Sequence, residues 1–125
     1  MPHMAIVVDD SMLIRHTVCR YFEQRGFVVE SACNGLEALD MVSRVTPDIL
    51  VTDLVMPGMD GSQLISAVRA RPETAAIPII VVAGRTEGTD PARETRANAV
   101  IYKDIDILEQ LDAALSHALP ELVHD

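Results

Sequence analysis

Tryptophan is absent from the 125 residues, and two Phe and two Tyr are the only aromatic residues. The core therefore cannot rest on stacked rings. It has to be built from Val, Ile, Leu, Ala and Met, the usage of parallel strands covered by helices on both faces. Lysine is nearly absent as well: of the ten basic residues, Lys103 is the only Lys and the rest are Arg. Nineteen acidic residues bring the formal net charge to −9. That balance argues against nucleic acid or an anionic membrane as a direct partner. Cys19 and Cys33 lack metal-ligand spacing and are too few for a disulfide framework, so both are expected as reduced, packed thiols. No apolar run approaches the roughly 18 residues of a membrane span. The opening MPHMAIVV carries no charged segment followed by a long apolar stretch, so no signal peptide is expected and the cytoplasm is the expected compartment.

What is present is short apolar runs alternating with helical periodicity. Residues 5–8 (AIVV) end in Asp9-Asp10, and Ser11 is placed to cap a helix from Met12 to about Arg25 with Ile14, Val18 and Phe22 inward. Gly26 ends it. FVVESA (27–32) reads as a strand, and Asn34-Gly35 opens a helix with Ala38, Leu39 and Val42 inward, stopped by Thr46-Pro47. A third strand spans 48–53, and a helix from about Ser62 to Ala70 buries Leu64, Ile65 and Val68. IIVVA (79–83) is the most apolar strand. Residues 84–90 read as a loop, 91–97 as a short helix, 100–102 as a fifth strand, and 105–119 as a helix with Leu108, Leu111 and Leu115 inward. The length suits one domain, expected over residues 1–125.

Five strands alternating with five helices imply right-handed crossovers and an α/β, doubly wound, open parallel sheet. Ligands of such sheets bind beyond the carboxyl ends of the strands. Asp9-Asp10 follow strand 1, Asp53 ends strand 3, Ala83-Gly84 end strand 4, and Lys103 follows strand 5. Two carboxylates about 4 Å apart repel by about 4 kcal/mol at an effective dielectric near 20. Three of them call for a proton or a hard divalent cation, and Mg²⁺ suits an oxygen set that also admits a phosphoryl oxygen. With Lys103 adding a point positive charge, one carboxylate can attack phosphorus and form an aspartyl phosphate.

The segments IVVDDS (6–11), NGLEAL (34–39), PDILVTDLVMPGMDG (47–61), IPIIVV (77–82) and IYK (101–103) together resemble the receiver domain of two-component response regulators. The resemblance implies a flavodoxin-like sheet of order 2-1-3-4-5. It implies Asp53 as phosphoacceptor, and Asp10, Asp9, Asp53 and the Val55 carbonyl as Mg²⁺ ligands. Lys103 would contact the phosphoryl group. The implied donor is a sensor histidine kinase or a histidine phosphotransfer protein, and the implied output is a downstream protein target. A receiver catalyses its own phosphorylation and dephosphorylation but is chiefly a signalling protein. No output domain is expected within the chain.

Several positions depart from the family pattern. Ala83 stands where receivers usually carry Thr or Ser, and Val100 where they carry Tyr or Phe, so both switch positions are atypical. Tyr102 is the nearest aromatic and shares the face of Val100 by strand alternation. Asp104 follows Lys103 in place of the usual proline, and a trans bond is expected there because a cis bond without proline costs about 2.5–4 kcal/mol. Asp104 and Asp106 are expected to compete for Lys103. Two other readings share the fold: a pseudo-receiver acting only as a protein-interaction module, and a metal-dependent phosphatase. The phosphatase typically needs an acid two residues after its nucleophile, where this chain has Val55.

Overall fold

The computed structural model describes residues 3–84, 96–103 and 106–118. Its elements run β1 Met4–Val8, α1 Met12–Glu23, β2 Val28–Ala32, α2 Gly35–Val45, β3 Ile49–Asp53, α3 Gly61–Ala70, β4 Ile79–Ala83, β5 Ala99–Tyr102 and α4 Ile107–Ala118. The strands form one sheet of order β2-β1-β3-β4-β5, and every neighbouring pair is parallel. Four helices stand among the described residues, against the five expected. The helix expected at 91–97 falls mainly on residues outside those described, and residues 96 and 97 are turn and bend.

Strand alternation divides the core in two. Ala5, Val7, Ile49, Val51, Ile80, Val82 and Ile101 face α1 and α4, packing on Val18, Phe22, Leu111 and Leu115. Ile6, Val8, Leu50, Ile79, Val81 and Ala83 face α2 and α3, packing on Ala38, Val42, Leu64 and Val68. Strands β3 and β4 are buried along their whole length, as the apolar runs of a doubly covered sheet require.

The helix ends follow local chemistry. Ser11 caps α1 by accepting the Ile14 N–H, and Asn34 caps α2 by accepting that of Glu37. Asp60 and Gln63 form a reciprocal capping box at the start of α3. After α1, Gly26 adopts φ +86°. Its N–H donates to Glu23 O, and the Phe27 N–H donates to Phe22 O. The Phe22 and Phe27 rings meet edge-on at 5.0 Å, so this terminus is closed by main-chain bonds and by an apolar contact together. At the same end, Tyr21 Oη and Arg25 Nη2 both donate to Asp112 Oδ1 at 2.7 Å, tying α1 to α4.

Arg69, near the end of α3, gathers the start of β4 and β5. It donates to Ala75 O at 2.9 Å and Ile77 O at 2.5 Å. It also donates to Arg96 O at 3.0 Å and Asn98 Oδ1 at 3.2 Å. Asn98 in turn pairs with Ile79, donating its N–H to Ile79 O and accepting the Ile79 N–H on Oδ1.

Two expectations need correction. Leu108 is 47% exposed, and the buried stripe of α4 is Ile107, Leu111 and Leu115. Ile107 and Leu108 are adjacent, so either can start the stripe, and the four-residue spacing to Leu111 and Leu115 selects Ile107. Cys33 is exposed rather than packed, because it lies in the turn beyond β2; Cys19 is half-buried. Leu111→Ala is expected to cost about 2–5 kcal/mol in denaturant unfolding. Leu108→Ala is expected to stay within about 0.5 kcal/mol of the parent. Equal losses would refute the phase assigned to α4.

Candidate functional site

Asp9 sits at the junction of β1 and α1. Its N–H donates to Ala32 O at 3.2 Å, and its carbonyl accepts from Arg15 Nη1 at 2.7 Å. Its Oδ1 accepts the Ser11 N–H at 2.8 Å. The carboxylate is thereby fixed from both sides of the turn and only 2% of the residue is exposed. Asp10, beside it, is exposed.

Asp53 closes β3 opposite Val82 and is 1% exposed. Its carbonyl accepts from Thr52 Oγ1 at 2.8 Å. Gly61 N–H donates to Leu54 O at 2.8 Å, drawing the first turn of α3 back onto the end of β3. A Cβ on Gly61 would lie 2.2 Å from Asp53 O, so only glycine permits this approach. Val55, exposed, reaches Asp53 through its N–H, which points to Oδ1 over a long 3.4 Å.

Lys103 arrives from β5, its N–H bonded to Ala83 O at 3.0 Å. Its ammonium lies 2.9 Å from Asp53 Oδ2 and 3.3 Å from Asp9 Oδ2. One carboxylate oxygen from each of Asp9, Asp10 and Asp53 lies within 4.8 Å of the other two. Sheet topology thus joins the four charged residues that the sequence separates by up to 94 positions, 9 to 103.

Burial is the main reason that the Asp9 carboxyl is pushed up to about 6, and the Asp53 charge adds to it. The Ser11 N–H and Lys103 oppose the rise. Burial by itself would lower Lys103, but its hydrogen bond to Asp53 and the charges of Asp9 and Asp53 outweigh that and raise it. One ammonium does not saturate the acids: buried Asp9 Oδ2 accepts no hydrogen bond, its contact with Lys103 being ionic. An all-oxygen set with an unsatisfied buried atom fits a hard divalent cation such as Mg²⁺.

The remaining predicted positions are apolar. Ala83 is buried in the cluster facing α2 and α3, and Val100 packs partly buried against the same cluster. Among the described residues Lys103 pairs with Asp9 and Asp53, whereas Asp106 Oδ1 accepts the Glu109 N–H at 3.2 Å and caps α4, against the expected competition. Asp104, its expected competition for Lys103 and the expected trans bond after Lys103 lie outside the described residues. Sequence reasoning missed Arg15, which braces the Asp9 carbonyl from one turn into α1, and Gln110, whose carboxamide binds both main-chain groups of Tyr102. The four-residue step from Ser11 to Arg15 was the available signal for the first.

A family model described as the response regulator receiver domain matches residues 5–116. The sporulation initiation phosphotransferase F of Bacillus subtilis is 32% identical over 108 residues, 86% of this chain and 87% of that protein. The phosphate regulon transcriptional regulatory protein PhoB of Rhizobium meliloti is 31% identical over 131 residues, and the match takes in 98% of this chain but 56% of PhoB. Among solved structures, the chemotaxis response regulator CheY4 of Vibrio cholerae superposes with a TM-score of 0.83 at 27% identity, covering 95% of this chain and all of that one. No helix among the described residues is long and apolar enough to cross a membrane.

The raised Asp9 carboxyl has a consequence for stability. Between the ordinary value of 3.8 and about 6, the folded state binds more protons than the unfolded one, so stability falls as pH rises through this window and the full penalty stands above it. In metal-free buffer, Asp9→Asn is expected to stabilise the fold at neutral pH by roughly 2–3 kcal/mol, with the gain vanishing near pH 4. Urea unfolding at both pH values measures it; a loss of stability at neutral pH would contradict the assigned electrostatics.

Proposed function

This chain belongs to the response regulator receiver family, and we propose that it accepts a phosphoryl group on Asp53 in a Mg²⁺-dependent reaction. The observation that carries the reading is the gathering of Asp9, Asp10 and Asp53 within 4.8 Å, with Lys103 2.9 Å from Asp53. The carboxylates of Asp9, Asp10 and Asp53, with the carbonyl of Val55, would hold the cation. Bound Mg²⁺ supplies charge neutralisation for the acids and for the incoming phosphoryl oxygens.

The chain's own residues do the rest. A carboxylate oxygen of Asp53 forms the new bond to phosphorus, while the bond to the donor's nitrogen or oxygen breaks and its electron pair leaves with the donor. Burial keeps the Asp53 carboxylate poorly hydrated and so less shielded as a nucleophile. Lys103 holds Asp53 Oδ2 before transfer and is placed to meet the negative phosphoryl oxygens after it. Ser11 and Arg15 hold Asp9 in register. Hydrolysis of the acyl phosphate restores the carboxylate.

The donor is a phosphohistidine on a sensor kinase or a phosphotransfer protein, and the output is a protein contact. The Bacillus relative is named a phosphotransferase, which agrees with a place in a relay. Ala83 and Val100 set this chain's response apart. Ala83 offers no hydroxyl, so one charge-assisted hydrogen bond to the phosphoryl group is forgone, worth roughly 1.5–3 kcal/mol. Val100 packs in the apolar cluster with no ring to reorient. Phosphoryl chemistry is retained while transmission through β4 and β5 is weakened.

Incubation with Mg²⁺ and acetyl phosphate, followed by intact-mass measurement, is expected to add one phosphoryl group. Asp53→Asn or chelation should abolish it. A protein that stays unmodified and ignores beryllofluoride would be a pseudo-receiver. Ala83→Thr is expected to prolong the phosphorylated state, measured as the decay of the same mass shift; an unchanged lifetime would remove Ala83 from the account.

A further inference from the structure

Strand β5 closes one side of the sheet. A parallel edge strand turns alternate N–H and C=O groups away from its neighbour, where they need another partner. Lys103 turns its N–H inward to Ala83 O, so Tyr102, one residue earlier, turns its main-chain pair outward. One side chain takes both. The Tyr102 N–H donates to Gln110 Oε1 at 2.9 Å, and Gln110 Nε2 donates to Tyr102 O at 2.8 Å. The same Nε2 donates to Asp106 O at 3.3 Å, in the first turn of α4.

The carboxamide thus stands in for a sixth strand at the one residue that precedes the site lysine. Its own position is set by α4, anchored beneath it by Ile107 and Leu111 in the core. A carboxamide offers an acceptor and a donor on one carbon, which Leu or Met cannot reproduce. No proline follows Lys103, so no ring restrains the backbone beyond it. The strand side supplies a restraint of its own.

We propose that Gln110 is a positioning residue for Lys103: by closing both outward main-chain groups of Tyr102, it fixes the stem from which the ammonium reaches Asp53 and Asp9. Its effect on chemistry rests on the phosphoacceptor reading of Asp53; its effect on Lys103 does not. The fixed element is the main chain at 102 and 103, held on the inner side by Ala83 and on the outer side by Gln110. Released on one side, the strand end frays, and the side chain loses its placement 2.9 Å from Asp53.

Because Lys103 is the only lysine, selective ¹³C,¹⁵N-lysine labelling of the full chain gives one set of side-chain signals. In Gln110→Met these signals are expected to move toward those of free lysine. The rate of Asp53 phosphorylation by acetyl phosphate with Mg²⁺ should fall about tenfold, a misplacement of about 1 Å costing up to about a hundredfold. Asp112→Asn, which loosens α4 at its contact with α1, should leave the lysine signals in place. Hydrogen exchange on the parent protein tests the idea without any variant: the Tyr102 amide should be protected like a paired strand amide. An unprotected Tyr102 amide, or lysine signals unmoved in Gln110→Met, would overturn the proposal. The lysine signals are read without a phosphodonor. An Asp53 that never takes a phosphoryl group would therefore sink the receiver chemistry and leave the clamp standing, whereas unmoved signals beside normal phosphorylation would sink the clamp alone.

Discussion

A single ammonium set against two buried carboxylates governs the carboxyl edge of this sheet. Lys103 meets Asp53 at 2.9 Å and Asp9 at 3.3 Å, and no second cationic side chain is paired with either acid among the described residues. The balance is incomplete by one charge, and the burial of Asp9 shows where the deficit falls. Such an arrangement costs free energy on its own. It persists because the strands that deliver it are buried throughout and packed on both faces. The core thus holds together a site that would otherwise push itself apart, and acids that repel one another in this way suit a cation.

Much of this was legible in the residues. Short apolar runs ending in Asp9-Asp10, Asp53 and Lys103 identify strand ends, and the crossover rule places those ends on one edge. The stripes of α1, α2 and α3 followed from four-residue spacing because each has one clear apolar phase. The stripe of α4 was read one residue off, since Ile107 and Leu108 are adjacent apolar residues and only the four-residue step to Leu111 and Leu115 favours Ile107. The capping box at Asp60 and Gln63 was visible only as a turn signal, because Asp-Gly marks both. Gln110 left no trace: a glutamine bonding to main chain eight residues upstream has no periodicity and no characteristic neighbour. Side chains that serve backbone geometry are harder to see in a sequence than side chains that serve chemistry.

Ala83 and Val100 lie close together on β4 and β5. Ala83 and Tyr102 are register partners across β4 and β5, and Val100 packs on the cluster that includes Ala83. This stretch carries apolar contacts where a phosphoryl-dependent hydrogen bond would give the two states different energies, and a switch moves only as far as such differences allow. The acid-and-lysine half of the site includes neither residue. On the proposed reading, accepting the group and communicating it rest on different residues.

Arg69 gives the molecule a fulcrum. A guanidinium presents donors in a rigid planar fork, and here that fork pins the ends of α3, β4 and β5 opposite the charged edge, with Asn98 pairing two of them. The sheet is accordingly riveted at its base and electrically loaded at its rim. On the proposed reading, a displacement at the rim would pivot about this base, with the five residues of β4 as its lever arm.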